Sequence, residues 1–195
     1  PELEKEKNIG DNKIKVGLNF FDYYSYLEKI PEQRTSYIEA AKVFINYLQH
    51  KENIEVFYFA LQNKTGGKDL EFMNEIKPFN SKDVLFYKED FSGFVSQLSA
   101  MDFCIGLRYH FAVVSIQNSI PTIGISYQPK VERELQEFGL KDYVIQMNEI
   151  TGHTLISKFE KQFQNKSLKL EIKNKLKSVR ESLNLNEFIT FCKKI

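Results

Sequence analysis

The chain has 195 residues, 42% hydrophobic and 27% charged, an ordinary balance for a globular protein with a sizeable core. Its formal net charge of +1 lacks the basic excess that marks a nucleic-acid binder. No apolar run approaches a membrane span and no signal-peptide pattern opens the sequence. Two distant cysteines, Cys104 and Cys192, make neither a disulfide framework nor a zinc site.

Residues 1–12 are charged and contain Gly10 and two asparagines, which reads as a linker ahead of a single domain over 13–195. That domain is expected to be the C-terminal part of a longer protein. A strand is predicted over 13–20 (KIKVGLNF), then a long aromatic loop over 21–33. Ser36 and Glu39 have capping-box spacing, and Tyr37, Ala40, Ala41, Phe44 and Leu48 follow at helical spacing up to about His50. Residues 53–61 (NIEVFYFAL) read as a strand, 62–68 as a turn around Gly66-Gly67, and 69–76 as a short helix ending before Pro78.

The alternation continues with a strand over 83–87, a helix over 91–100 opened by Asp90, and a strand over 102–107. A helix over 110–118 and a strand over 122–127 come next. Pro129 suits a first helical position, Val131, Leu135 and Phe138 share a face, and Gly139 fits a left-handed cap. A last strand is predicted over 143–147 and a helix over 155–163. A longer helix carries the stripe Leu168, Ile172, Leu176, Val179 and Leu183. Six strands alternating with helices predict an α/β, Rossmann-like three-layer domain with a mainly parallel sheet.

The segment 101–127 (MDFCIGLRYHFAVVSIQNSIPTIGISY) carries the chemistry. A strand ends at Gly106, and Arg108 and His110 come next, at the turn into a helix. Ligands of open α/β sheets bind beyond the carboxyl ends of the strands, and a helix N-terminus there favours an anion. Arg108 can hold phosphate or carboxylate, and His110 can act as general acid or base. The plainer alternatives are an Arg108 paired with a carboxylate and a His110 that caps its helix. Asn19 and Tyr127, at strand carboxyl ends, are candidates to touch ligand. Lys130, in a helix first turn where the dipole disfavours a cation, suits either a bound anion or plain solvent exposure. The three histidines have no metal-ligand spacing, so no metal site is expected.

Asp102, Gly106, Arg108, His110, Pro121, Tyr127, Pro129, Lys130 and Val131 form an ordered string over about 100–140. That string resembles the C-terminal part of the polysaccharide pyruvyl transferase family. The resemblance implies one half of a two-domain GT-B-type architecture, with the active site between the domains. It also implies transfer of pyruvate from phosphoenolpyruvate to two hydroxyls of a sugar, giving a cyclic ketal, with no separate cofactor. Arg108 would then hold the donor's phosphate or carboxylate, and His110 would protonate its methylene carbon. The partners implied are phosphoenolpyruvate, a sugar or polysaccharide precursor and a missing N-terminal domain, without which this domain is expected to be inactive. The setting expected is cytoplasmic, including the inner face of the membrane. Family members often carry an Arg in a G-x-S-x-R string after the first strand; here the segment is Gly17-Leu18-Asn19-Phe20-Phe21, with Arg34 further along. A GT-B-type glycosyltransferase using a nucleotide sugar and a non-catalytic glycan- or partner-binding domain are the alternatives.

Overall fold

A computed structural model describes residues 13–26, 31–62, 69–78, 80, 83–87, 90–137, 140–165 and 167–182. Its strands are β1 (Ile14–Asn19), β2 (Ile54–Ala60), β3 (Val84–Phe86), β4 (Phe103–Gly106), β5 (Thr122–Ser126) and β6 (Val144–Gln146). Its helices are α1 (Tyr23–Tyr26), α2 (Pro31–Gln49), α3 (Asp69–Ile76), α4 (Phe91–Ser99), α5 (Tyr109–Gln117), α6 (Pro129–Glu137), α7 (Gly152–Phe163) and α8 (Leu168–Ser182). The six strands form one sheet in the order β3-β2-β1-β4-β5-β6, and every pairing is parallel. This is the Rossmann-like α/β domain that the alternation predicts.

Parallel sheets are covered on both faces, so their central strands read as near-continuous apolar runs; β4 and β5 have no exposed residue. One face packs on α2 and α7 through Phe44, Phe103 and Phe159, with ring centroids 5.8 and 5.1 Å apart. The other is filled by Phe59, Phe94, Leu98, Met101, Cys104 and Phe111 under α4 and α5. In α8, Leu168, Ile172 and Leu176 are buried as the stripe predicts. Gly106 and Gly124 lie side by side on β4 and β5. A Cβ at Gly106 would run into the Phe111 ring, and one at Gly124 would come within 2.9 Å of Leu135. These two glycines let α5 and α6 lie close to the sheet.

Two helix starts differ from expectation. Residues 21–33 are not one loop: they contain α1, and α2 begins at Pro31. Proline suits the first helical position and Glu32 meets the positive dipole end. Ser36 is therefore inside the helix, its hydroxyl donating to the Glu32 carbonyl four residues back (3.0 Å) rather than capping. Helix α7 begins three residues earlier than predicted, because Thr151 and Thr154 form a reciprocal capping box without the usual Glu or Gln. At its C-terminus α5 closes with a Schellman turn. The Ser119 N–H bonds to Ile116 O and the Ile120 N–H to Ser115 O, with Ser119 at φ 61°. The expected cap at Gly139, the turn at Gly66-Gly67 and Leu183 lie outside the described residues. No described helix is long and apolar enough to cross a membrane.

Candidate functional site

In this strand order the connections change direction between β1 and β4, and the crevice beyond their carboxyl ends is the topological switch point. Asn19, the last residue of β1, is fully buried there. Its side-chain NH₂ donates to Phe59 O (2.7 Å) and its carbonyl accepts the Arg108 N–H (3.0 Å). The Leu107 N–H also bonds to Asn19 O (3.0 Å). Asn19 thus ties β1 to β2 and fixes the turn leading from β4 into α5. Both ends of its amide are engaged within the protein, so it positions Arg108 and is turned away from solvent.

Arg108 is the residue just before α5, with extended backbone and no side-chain cap. Its guanidinium pairs with Asp69, at 2.5 Å from Nη2 to Oδ1 and 3.3 Å from Nε to Oδ2, and lies 4.0 Å over the Phe21 ring. Asp69 is fully buried, and its Oδ2 also accepts the N–H groups of Leu61 (3.1 Å) and Gln62 (3.3 Å). Burial raises the Asp69 carboxyl above the usual carboxylate range, against the opposing pull of Arg108 and these two N–H groups. The carboxylate sets the guanidinium plane, leaving the Arg108 side chain 17% exposed. The carboxylate-paired alternative for Arg108 is therefore present, with a buried partner at the sheet edge.

His110 is exposed in the first turn of α5 and makes no hydrogen bond to any described residue, so it does not cap the helix. Arg108 and His110 line one cavity of about 320 Å³, together with Leu61, Gln62, Tyr87, Phe91 and Phe94. The cavity opens at the carboxyl ends of β2, β3 and β4. Phe91, at the start of α4, is 59% exposed. The Tyr109 ring stands edge-on to His110 at 5.3 Å, and the Lys130 ammonium lies 4.3 Å from the Tyr109 ring. Burial, and then Glu134, push the Tyr109 hydroxyl up to about 12. Lys130 is solvent-exposed on α6, held over an aromatic face at the same edge.

Tyr127 packs against Phe21, 5.4 Å from it and 4.8 Å from Tyr23 between ring centroids. It lines a second cavity, separate from that of Arg108 and His110. Arg34, further along the chain from the position of the family's missing arginine, is engaged by Asp22 (2.8 Å) and Glu75 (2.5 Å). Burial works against the Asp22 carboxylate, yet hydrogen bonds from Arg34 and Ser25 hold it below its usual range. Among the described residues no three His, Cys, Asp or Glu side chains come together as a metal site.

Sequence reasoning missed Asp69 and Phe21. Asp69 reads as an ordinary acidic opening of a helix, which is also where it stands in α3. Only the return of β4 beside β1 brings it to Arg108, 39 residues away. Phe21 is one aromatic among many in its segment, and nothing local marks it as the platform under a guanidinium.

The model of the polysaccharide pyruvyl transferase family matches residues 2–129 of this chain. No curated protein matches it. Among solved structures the chain is similar to that of EarP, which mediates arginine glycosylation of translation elongation factor EF-P. The TM-score is 0.60 at 12% identity, over 96% of this chain and 62% of that one. At such identity the likeness speaks for the fold alone. The chain spans about 62% of that structure's length.

Proposed function

This chain belongs to the polysaccharide pyruvyl transferase family, and from that premise we propose that it is the donor-binding half of a pyruvyl transferase. The reaction moves pyruvate from phosphoenolpyruvate to two hydroxyls of a sugar in a cell-surface polysaccharide or its precursor. The observation that carries this reading is the meeting of Arg108 and His110 on one cavity at the carboxyl edge, under the N-terminus of α5.

The donor carries a phosphate and a carboxylate beside a carbon–carbon double bond. Arg108 binds one of these anions, with its guanidinium oriented by Asp69 and Phe21 and its backbone by Asn19. The first-turn N–H groups of α5 have no acceptor inside the helix and add to the anion site. Protonated His110 delivers its proton to the methylene carbon, and positive charge develops at the adjacent carbon bearing the phosphate oxygen. A sugar hydroxyl attacks that carbon and passes its proton to the now neutral His110, phosphate leaves, and the second hydroxyl closes the ketal with its proton going to the departing phosphate. Lys130 stands at the same edge as a further cation for the departing phosphate. A second domain facing this edge completes the cleft, and this chain alone turns over little.

One feature of the cavity favours a second reading. Tyr87, Phe91, Phe94 and Leu61 line it beside Arg108. A flat apolar base with a diphosphate would suit that lining, as in a glycosyltransferase using a nucleotide sugar. The two readings separate in one assay of the intact transferase with methyl pyranosides as acceptors. Phosphoenolpyruvate should yield free phosphate and an acid-labile pyruvyl ketal seen by mass spectrometry. Glycosyl transfer from a nucleotide sugar, with no ketal from phosphoenolpyruvate, would overturn the pyruvyl reading.

A further inference from the structure

The second cavity, of about 310 Å³, opens at the carboxyl ends of β1, β5 and β6. Its walls combine three tyrosine rings, Tyr23, Tyr24 and Tyr127, with the side chains of Gln33, Glu132 and Gln146. Among the described residues no lysine, arginine or histidine lines it. Gln146 Nε2 donates to Glu132 Oε2 (2.9 Å), which holds that carboxylate in place and leaves its other oxygen as an acceptor. The buried Phe21 ring touches a residue of each cavity, Arg108 of the first at 4.0 Å and Tyr127 of this one at 5.4 Å.

We propose that this cavity is a subsite for an uncharged sugar ring of the acceptor glycan. Amides donate and accept together, as vicinal hydroxyls require. Aromatic faces cover the C–H side of a pyranose. A single carboxylate without a cation accepts hydroxyl protons and repels anions, so the charged donor is sorted to the Arg108 side and the neutral sugar to this one. The word acceptor rests on the pyruvyl transferase reading; the sugar-binding chemistry stands on the cavity itself.

The test is ligand-observed NMR on the 195-residue chain, with methyl β-D-galactopyranoside, methyl α-D-mannopyranoside and methyl β-D-glucuronide as probes. At least one neutral glycoside should show saturation transfer, and the glucuronide should show less. Affinity should fall by about fivefold or more in Tyr127→Ala and in Gln146→Leu, the worth of one good polar contact. Gln146→Leu covers the case in which Tyr127→Ala disturbs the aromatic cluster. The phosphorus resonance of phosphoenolpyruvate, recorded in the same samples, reports the other cavity. Sugar binding with no phosphoenolpyruvate binding overturns the donor reading alone. Phosphoenolpyruvate binding with no sugar signal, or a sugar signal indifferent to both variants, overturns this inference alone.

Discussion

The two cavities at the carboxyl edge are of similar size, about 320 and 310 Å³, and Phe21 packs on one residue of each, Arg108 and Tyr127. They differ in charge. Between β2, β3 and β4 the lining carries Arg108 and His110 over a buried carboxylate; between β1, β5 and β6 it carries amides, tyrosines and one glutamate. The difference lies in the turn residues at the end of each strand. Strand β4 feeds a helix at Arg108-Tyr109-His110, whereas β5 ends in Ser126-Tyr127-Gln128 ahead of Pro129. A parallel sheet delivers all its carboxyl ends to one edge, so the residues that follow each strand contribute much of the charge difference between the two cavities.

The largest expected effect belongs to the charged side. In the intact transferase, His110→Ala should lower turnover about 10²–10⁴-fold, the usual worth of a general acid, with little change in donor affinity. Arg108→Ala should instead weaken donor binding, because its contact exists from the ground state onward. Steady-state kinetics on both variants separates the two roles, and equal effects on both constants would erase the distinction between acid and anchor.

Next comes the buried partner. Asp69→Ala should destabilise the fold by about 3–5 kcal/mol, since it leaves the Arg108 guanidinium unpaired and two N–H groups without an acceptor. Asp69→Asn, which keeps an acceptor oxygen, should cost less. Denaturant midpoints compare the two; a negligible loss in Asp69→Ala would mean that the pair does not organise the charged side.

Smaller effects test the packing that brings α5 to the edge. Gly106→Ala should cost about 1–3 kcal/mol, because the added methyl meets the Phe111 ring and α5 must shift outward. The same shift should reduce donor affinity while leaving the amide-lined cavity unaffected. At the other end of α5, Ser119→Gly should gain about 0.5–1 kcal/mol by relieving the left-handed residue of the Schellman turn, offset in part by unfolded-state entropy. Thermal unfolding measures both, and the second should leave both cavities unchanged.

Alternation of apolar runs with helical stripes is a local property, so the six strands and the parallel sheet are legible along the chain. The turn Gly106-Leu107-Arg108-Tyr109-His110 is equally local, and both functional candidates in it come to one cavity. What escapes the sequence is whatever depends on strand order. The Asn19 carbonyl reaches the Arg108 N–H across 89 positions, and Asp69 reaches the guanidinium across 39. Tyr127 shares a sheet edge with Arg108, as its strand-end position implies, yet it lines the other cavity. The starts of α2 and α7 escape for a different reason. Pro31 competes with a plausible box at Ser36, and Thr154 replaces the glutamate that usually marks a cap.

The most direct test of the central claim is an amide-resolved NMR titration of this chain with phosphoenolpyruvate. The shifts should concentrate at Gln62, Tyr87, Arg108, Tyr109 and His110 and should vanish in Arg108→Ala. Shifts confined to Tyr127, Glu132 and Gln146, or unchanged binding in Arg108→Ala, would contradict it.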